Sequence, residues 1–219
     1  MPRIVDHDAR RTELAAAACE AIFRVGMHNL TLTDVGNVAG CTTGTITHYF
    51  ANKDALLLAA LEHAWGTIKQ RMWTRLEQDE HDALGFLAEL LPVTRENRIA
   101  VVVWFHYWLR GLNSPALAAR RRANRIEWLQ MLETCLLGMQ SRGEIVLNGD
   151  IGAEIQGVDA IINGIALQAI LDPDEWPVAR QLAQLRCYFD RLRPFDHESF
   201  ARLKPSSGSP ADGQSARRS

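Results

Sequence analysis

Between positions 42 and 48 stand Thr42, Thr43, Gly44, Thr45, Thr47 and His48, all small or polar. Threonine hydroxyls can meet phosphates or base edges, and the threonine methyl can meet a thymine methyl, so this is side-chain chemistry suited to double-stranded DNA. Gly44 lets the backbone come close to such a partner. A well-capped surface loop would use the same residue types, so the stretch takes its meaning from its surroundings.

A second constellation is aromatic. Trp104 and Trp108 stand four apart, one helical turn, with Phe105 and Tyr107 beside them and Trp65, Trp73 and Trp128 on flanking segments. Indole faces attract cations, each gaining about 0.5 to 2 kcal/mol, and Glu62, Glu89 and Asp159 are acidic groups that could add charge. The same aromatics would also serve as a plain hydrophobic core. Glu77 and His81 are four apart, but a solvated helix pair accounts for them. His63 and His106 read as polar groups of a core or pocket. Arg120-Arg121-Arg122 with Arg125 reads as a solvated helix face. The sequence has no Ser-His-Asp or Cys-His arrangement, glycine-rich phosphate loop or metal-ligand spacing. An enzyme, a metal and a cofactor are therefore not expected.

Helices must position all of these groups. Leu14, Ala17, Ala18, Ala21, Ile22 and Val25 mark one face of a first helix, closed by Gly26. Thr31-Leu32-Thr33-Asp34 offers a capping box for a short second helix that runs out at Gly40. Thr42 can cap a third, about two turns long, with Ile46 and Phe50 facing inward. A long helix opens at Lys53, and further helices are expected at about 82 to 91, 94 to 112, 115 to 141, 150 to 171 and 175 to 192. No alternating strand pattern is present. Two short helices joined by a glycine turn, inside a three-helix unit, are what a helix-turn-helix needs, in which the first helix braces and the second enters a major groove.

Composition sets the bounds. The chain has 219 residues, 47% of them hydrophobic and 23% charged, enough to bury a core without staples. Its 24 basic and 26 acidic residues leave a formal charge of −2, so no global positive field draws it to nucleic acid or an anionic membrane. Residues 1 to 60 hold five basic and six acidic residues, so DNA binding must rest on placed cations, helix N-termini and hydroxyls. Four scattered cysteines point to a reducing compartment. Apolar stretches such as Ala100 to Phe105 fall far short of the roughly 20 residues that span a bilayer. No apolar signal region follows Met1-Pro2-Arg3, so the expected location is the cytoplasm, with no membrane partner.

The run from Gly26 through Thr31, Val35 and Ala39-Gly40-Cys41-Thr42-Thr43-Gly44-Thr45-Ile46-Thr47-His48-Tyr49-Phe50-Ala51-Asn52-Lys53 resembles the helix-turn-helix of the TetR family of bacterial repressors. Gly36 stands where the family has Ala, and Thr47 where it often has Tyr. Within that family, Met1-Pro2-Arg3, the stretch Cys41 to Phe50 and Trp104-x-x-x-Trp108 look like the choline-responsive, BetI-type repressors.

The resemblance implies an all-α fold of about nine helices: a DNA-binding domain at 1–53 and a helical effector-binding and dimerisation domain at 54–196. Residues 197–219, poor in large apolar side chains, are expected to be a disordered tail. Thr31 and Thr33 would hold a phosphate, and Thr42, Tyr49 and Lys53 would clamp the backbone around the recognition helix. Thr43, Gly44, Thr47 and His48 are the candidates for base edges. Trp65, Trp104, Trp108 and Trp128 are the candidates for an effector pocket, with a quaternary ammonium as a ligand class. A two-turn recognition helix reads few base pairs, so a homodimer is expected. Val158, Ile161, Ile162 and Ile165, on a helix apolar nearly all round, are its interface candidates. The implied function is a repressor released from a pseudo-palindromic operator by a small molecule, with the helix that begins at Lys53 as lever. The alternative is a helical binding or scaffold protein of the same fold without an operator.

Overall fold

The computed structural model describes residues 7–147 and 149–192, and its regular elements are all α-helices. The tail expected at 197–219 lies outside the described residues.

Local chemistry accounts for the first three elements. Helix α1 (His7–Asn29) buries Leu14, Ala18 and Ile22, and Gly26 breaks its regular path at φ 75, ψ 152, a conformation open to glycine. Helix α2 (Leu32–Ala39) starts at a complete capping box: the Thr31 hydroxyl accepts from the Asp34 amide at 3.2 Å and the Asp34 carboxylate accepts from the Thr31 amide at 2.8 Å. It ends at left-handed Gly40, φ 62. A Cβ at Gly36 would stand 2.7 Å from the Cys41 carbonyl oxygen, so glycine there lets the turn close onto α2. Helix α3 (Thr43–Tyr49) is capped by the Thr42 hydroxyl, which accepts from the Thr45 amide at 3.2 Å.

Asn52 caps the long α4 (Lys53–Gln78) through the Ala55 amide at 2.8 Å. Then follow α5 (Ala83–Ala88), α6 (Arg95–Gly111), α7 (Pro115–Ser141), α8 (Ile151–Leu171) and α9 (Val178–Asp190). The expected helix boundaries agree with these to within a few residues.

One apolar cluster runs from α1, α2 and α3 through α4 into the later helices, joining Leu14, Val35 and Ile46 to Leu57, Leu132 and Ile162. Each fully buried aliphatic side chain contributes about 1.5 to 3 kcal/mol. Within it lies one polar bolt. Glu89, just beyond α5, accepts from Arg71 Nε at 2.9 Å and Arg75 Nε at 2.6 Å on α4, and from Asn97 Nδ2 at 3.2 Å on α6. Among the described residues no helix is long and apolar enough to cross a membrane.

Candidate DNA-contacting face and interior cavity

Helix α3 is held from beneath by Ile46 and Phe50, both buried. Thr31, Thr33, Thr42, Thr43, Gly44, Thr47 and His48 are all exposed, and Tyr49 is half-buried. The hydroxyls already have local duties. Thr31 contacts the Asp34 carboxylate at 2.5 Å, and Thr47 donates to the Gly44 carbonyl at 3.1 Å. The Lys53 ammonium donates to the Leu30 carbonyl, tying the first turn of α4 to the entry of α2. An ammonium has three donors, so this bond leaves capacity for a phosphate.

Two contributors escaped the sequence reading. Arg11 of α1 donates from Nη1 to the Tyr49 carbonyl at 2.9 Å and lies over the Phe50 ring at 4.5 Å. The His7 ring stands 4.6 Å from Tyr49 and 6.4 Å from His48. The exposed C-terminal end of α3 is thus bordered by the first turns of α1. The signal was the Arg10-Arg11 pair, which a charge count records without a place.

The second site is a cavity of about 200 Å³. Trp65 of α4, Trp104 and Trp108 of α6 and Trp128 of α7 all line it. Trp65 and Trp104 have ring centroids 5.2 Å apart, and Trp104 and Trp108 5.7 Å, a continuous aromatic wall. Each of two indoles is pinned by a carboxylate: Trp65 Nε1 donates to Glu127 at 2.9 Å and Trp128 Nε1 to Asp159 at 2.8 Å. Phe105 also lines the space, whereas Tyr107 does not. Tyr107 packs with Leu61 and Leu117, its hydroxyl donating to the Leu117 carbonyl at 3.0 Å. Trp73 is 40% exposed and sits edge-on to Phe86, away from the cavity.

Of the three acidic candidates only Asp159 reaches the cavity. Glu62 pairs with Arg120 at 2.8 Å, and Glu89 belongs to the polar bolt. Asp159 is heavily engaged, accepting from Trp128, from Arg125 Nη2 at 2.9 Å and from Asn163 Nδ2 at 3.0 Å. The arginine run is not a uniformly solvated face. Arg121 and Arg125 turn to the cavity, because 121, 125 and 128 share one helical stripe with Trp128. Arg122 remains outside.

His81 pairs with Glu144 at 2.7 Å rather than with Glu77. Among the described residues no three His, Cys, Asp or Glu converge on a metal position. Burial pushes the thiols of Cys19 and Cys135 up to about 12, so neither is a reactive thiolate at neutral pH.

The interface candidates need correction. Val158, Ile162 and Ile165 are 0%, 3% and 2% exposed within a single chain, and Ile162 lines the cavity. They fill the protomer's own core and have no surface to offer a partner. Ile161 is half-buried, and the open side of α8 carries Ala160, Gly164, Leu167 and Leu171.

Comparison with known proteins agrees with this architecture. Residues 14–60 match the family model described as bacterial regulatory proteins, tetR family, and residues 80–194 match that of the BetI-type transcriptional repressor, C-terminal. The HTH-type transcriptional regulator BetI of Escherichia coli is 26% identical over 191 residues, covering 84% of this chain and 95% of the relative. The HTH-type transcriptional regulator PksA of Bacillus subtilis is 24% identical over 176 residues, covering 79% and 84%. Among solved structures, a protein from Saccharomonospora viridis in complex with choline superposes with a TM-score of 0.73 at 24% identity, over 84% of this chain and 96% of the other. The chain therefore belongs to the TetR family of transcriptional regulators, its N-terminal helices forming the helix-turn-helix unit and its C-terminal helices a BetI-type domain.

Proposed function

We propose that this chain is a homodimeric, sequence-specific DNA-binding repressor of the cytoplasm, released from a pseudo-palindromic operator when a small molecule occupies the Trp-lined cavity. The division of labour falls at residue 53, with 1–53 meeting DNA and 54–196 holding effector and partner. The observation that carries this reading is the path of α4. It begins at Lys53 beside the DNA-contacting face and, about 18 Å along at 1.5 Å per residue, supplies Trp65 to the cavity wall. One rigid element thus touches both sites.

On the DNA side, Thr31, Thr33, Thr42, Tyr49 and Lys53 take phosphates, and Thr43, Gly44, Thr47 and His48 read base edges, with Arg11 adding a cation. The partner packs against the open side of α8 and α9, where Leu167 and Leu171 are 40% and 69% exposed and Val178 and Leu182 are also exposed. A Cβ at Gly164 would meet nothing within 4 Å, which leaves room for a neighbour to approach. The choline complex of a similarly folded protein and the aromatic wall support a quaternary ammonium as one ligand class; the charges within the cavity favour another.

Fluorescence anisotropy with DNA from upstream of the chain's own gene, against random duplex of equal length and at fixed salt, tests the reading. A preference of about a thousandfold or more is expected of a specific regulator. Equal affinity for both duplexes would leave a helical binding protein without an operator.

A further inference from the structure

The cavity holds two guanidiniums, Arg121 and Arg125, against one carboxylate, Asp159. Asp159 is paired with Arg125 and takes two further hydrogen bonds, from Trp128 and Asn163, so it has little left for a ligand. Arg121 is in the opposite condition. Among the described residues no carboxylate pairs with it, its Nε is shielded from solvent without a hydrogen-bond acceptor, and its guanidinium lies 4.8 Å from the centre of the Trp108 ring. Buried donors nearly always find an acceptor, so one that does not is a place where a partner is missing. The position over Trp108 that a ligand cation would seek is also filled by the protein's own cation.

We infer that the effector carries an anionic group, a carboxylate on a small apolar or aromatic body, and that Arg121 is its counter-charge. The inference rests on the effector-cavity reading and names its ligand class. A guanidinium presents two parallel N–H groups to a carboxylate, a planar match that neither an ammonium nor a neutral ligand can make. The four indoles then enclose the apolar body. The size agrees: a dry cavity of about 150 Å³ accepts benzene, so about 200 Å³ accepts a ring with a short arm. A quaternary ammonium would instead face the unpaired guanidinium with no free carboxylate beside it.

Isothermal titration of the full chain with phenylacetate, its neutral isostere phenylacetamide, the cation phenethylamine and choline tests this, with operator release by each measured in parallel. Phenylacetate is expected to bind at least tenfold more tightly than the other three. Arg121→Gln should remove that preference while the effector-free chain keeps its melting temperature and operator affinity, which shows that the fold is intact, and Arg121→Lys should restore part of it. Equal binding of acid and amide, or tighter binding of phenethylamine or choline, would overturn the anionic class and leave the effector cavity standing. A chain that answers none of the four, in titration or in operator release, would overturn both readings.

Discussion

Glu89 shows what one buried carboxylate does for this protein. Burial pushes its pKa up, but the hydrogen bonds from Arg75, Asn97 and Arg71 outweigh that and hold it below its ordinary value of 4.5. The folded state therefore binds this proton more weakly than the unfolded chain. Its stabilisation is present above 4.5 and is lost as pH falls through the folded value. Glu89→Gln should cost about 1 to 3 kcal/mol at pH 7, toward the lower end because Arg71 and Arg75 are 31% and 43% exposed and can turn to water. The gap between wild type and variant should narrow progressively as urea midpoints are repeated at lower and lower pH below 4.5; a gap constant with pH would mean that the carboxylate's charge is not what matters. At this scale the sequence was half legible. Trp104 and Trp108 could be paired because they stand one helical turn apart, and Trp65 and Trp128 joined them only through the family resemblance. Arg121 and Arg125 could not be grouped with them, because a run of arginines has the same pattern whether it faces water or a cavity.

The short α3 depends on its cap more than a long helix would. Seven residues form few intrahelical bonds, and the Thr42 hydroxyl supplies one of those missing at the N-terminus. Thr42→Ala should lower stability by about 1 kcal/mol and weaken operator binding, whereas Thr42→Ser, which keeps the hydroxyl, should do neither. Thermal melts of the two variants separate the cap from general surface tolerance: equal melting temperatures would show that α3 is held by Ile46 and Phe50 alone. The elements were largely legible, since the caps at Thr31 and Thr42 and the stops at Gly26 and Gly40 act over three or four residues. What escaped was the orientation of α8. Its apolar residues surround the axis, and apolar periodicity does not say whether a face is covered by the same chain or by a partner. Val158, Ile162 and Ile165 are covered by the same chain, whereas Leu167 and Leu171 stay exposed on it.

That distinction governs the molecule as a whole, because α8 offers Asp159, Ile162 and Ala166 to the cavity and Gly164 and Leu167 to the outside. Leu167→Glu places a charge on the proposed interface without touching the core, so the protomer should melt within a few degrees of wild type yet sediment as a monomer. Operator affinity should fall with it, since one recognition helix reads too few base pairs. A dimer that persists in Leu167→Glu would move the interface off this face. In the proposed scheme α4 joins the DNA face to the cavity and α8 joins the cavity to the partner face, so an effector in the cavity acts by binding the released arrangement more tightly than the operator-bound one. The coupling must then be reciprocal. If saturating effector lowers operator affinity by a given factor, in the usual range of about 5 to 150, saturating operator must lower effector affinity by the same factor. Two titrations at one salt concentration measure both. Equal and finite factors place effector and operator on a single equilibrium between two dimer geometries, whereas mutual exclusion, with each affinity falling without limit as the other ligand is raised, would mean that the ligand competes at the DNA face and the cavity is not its site.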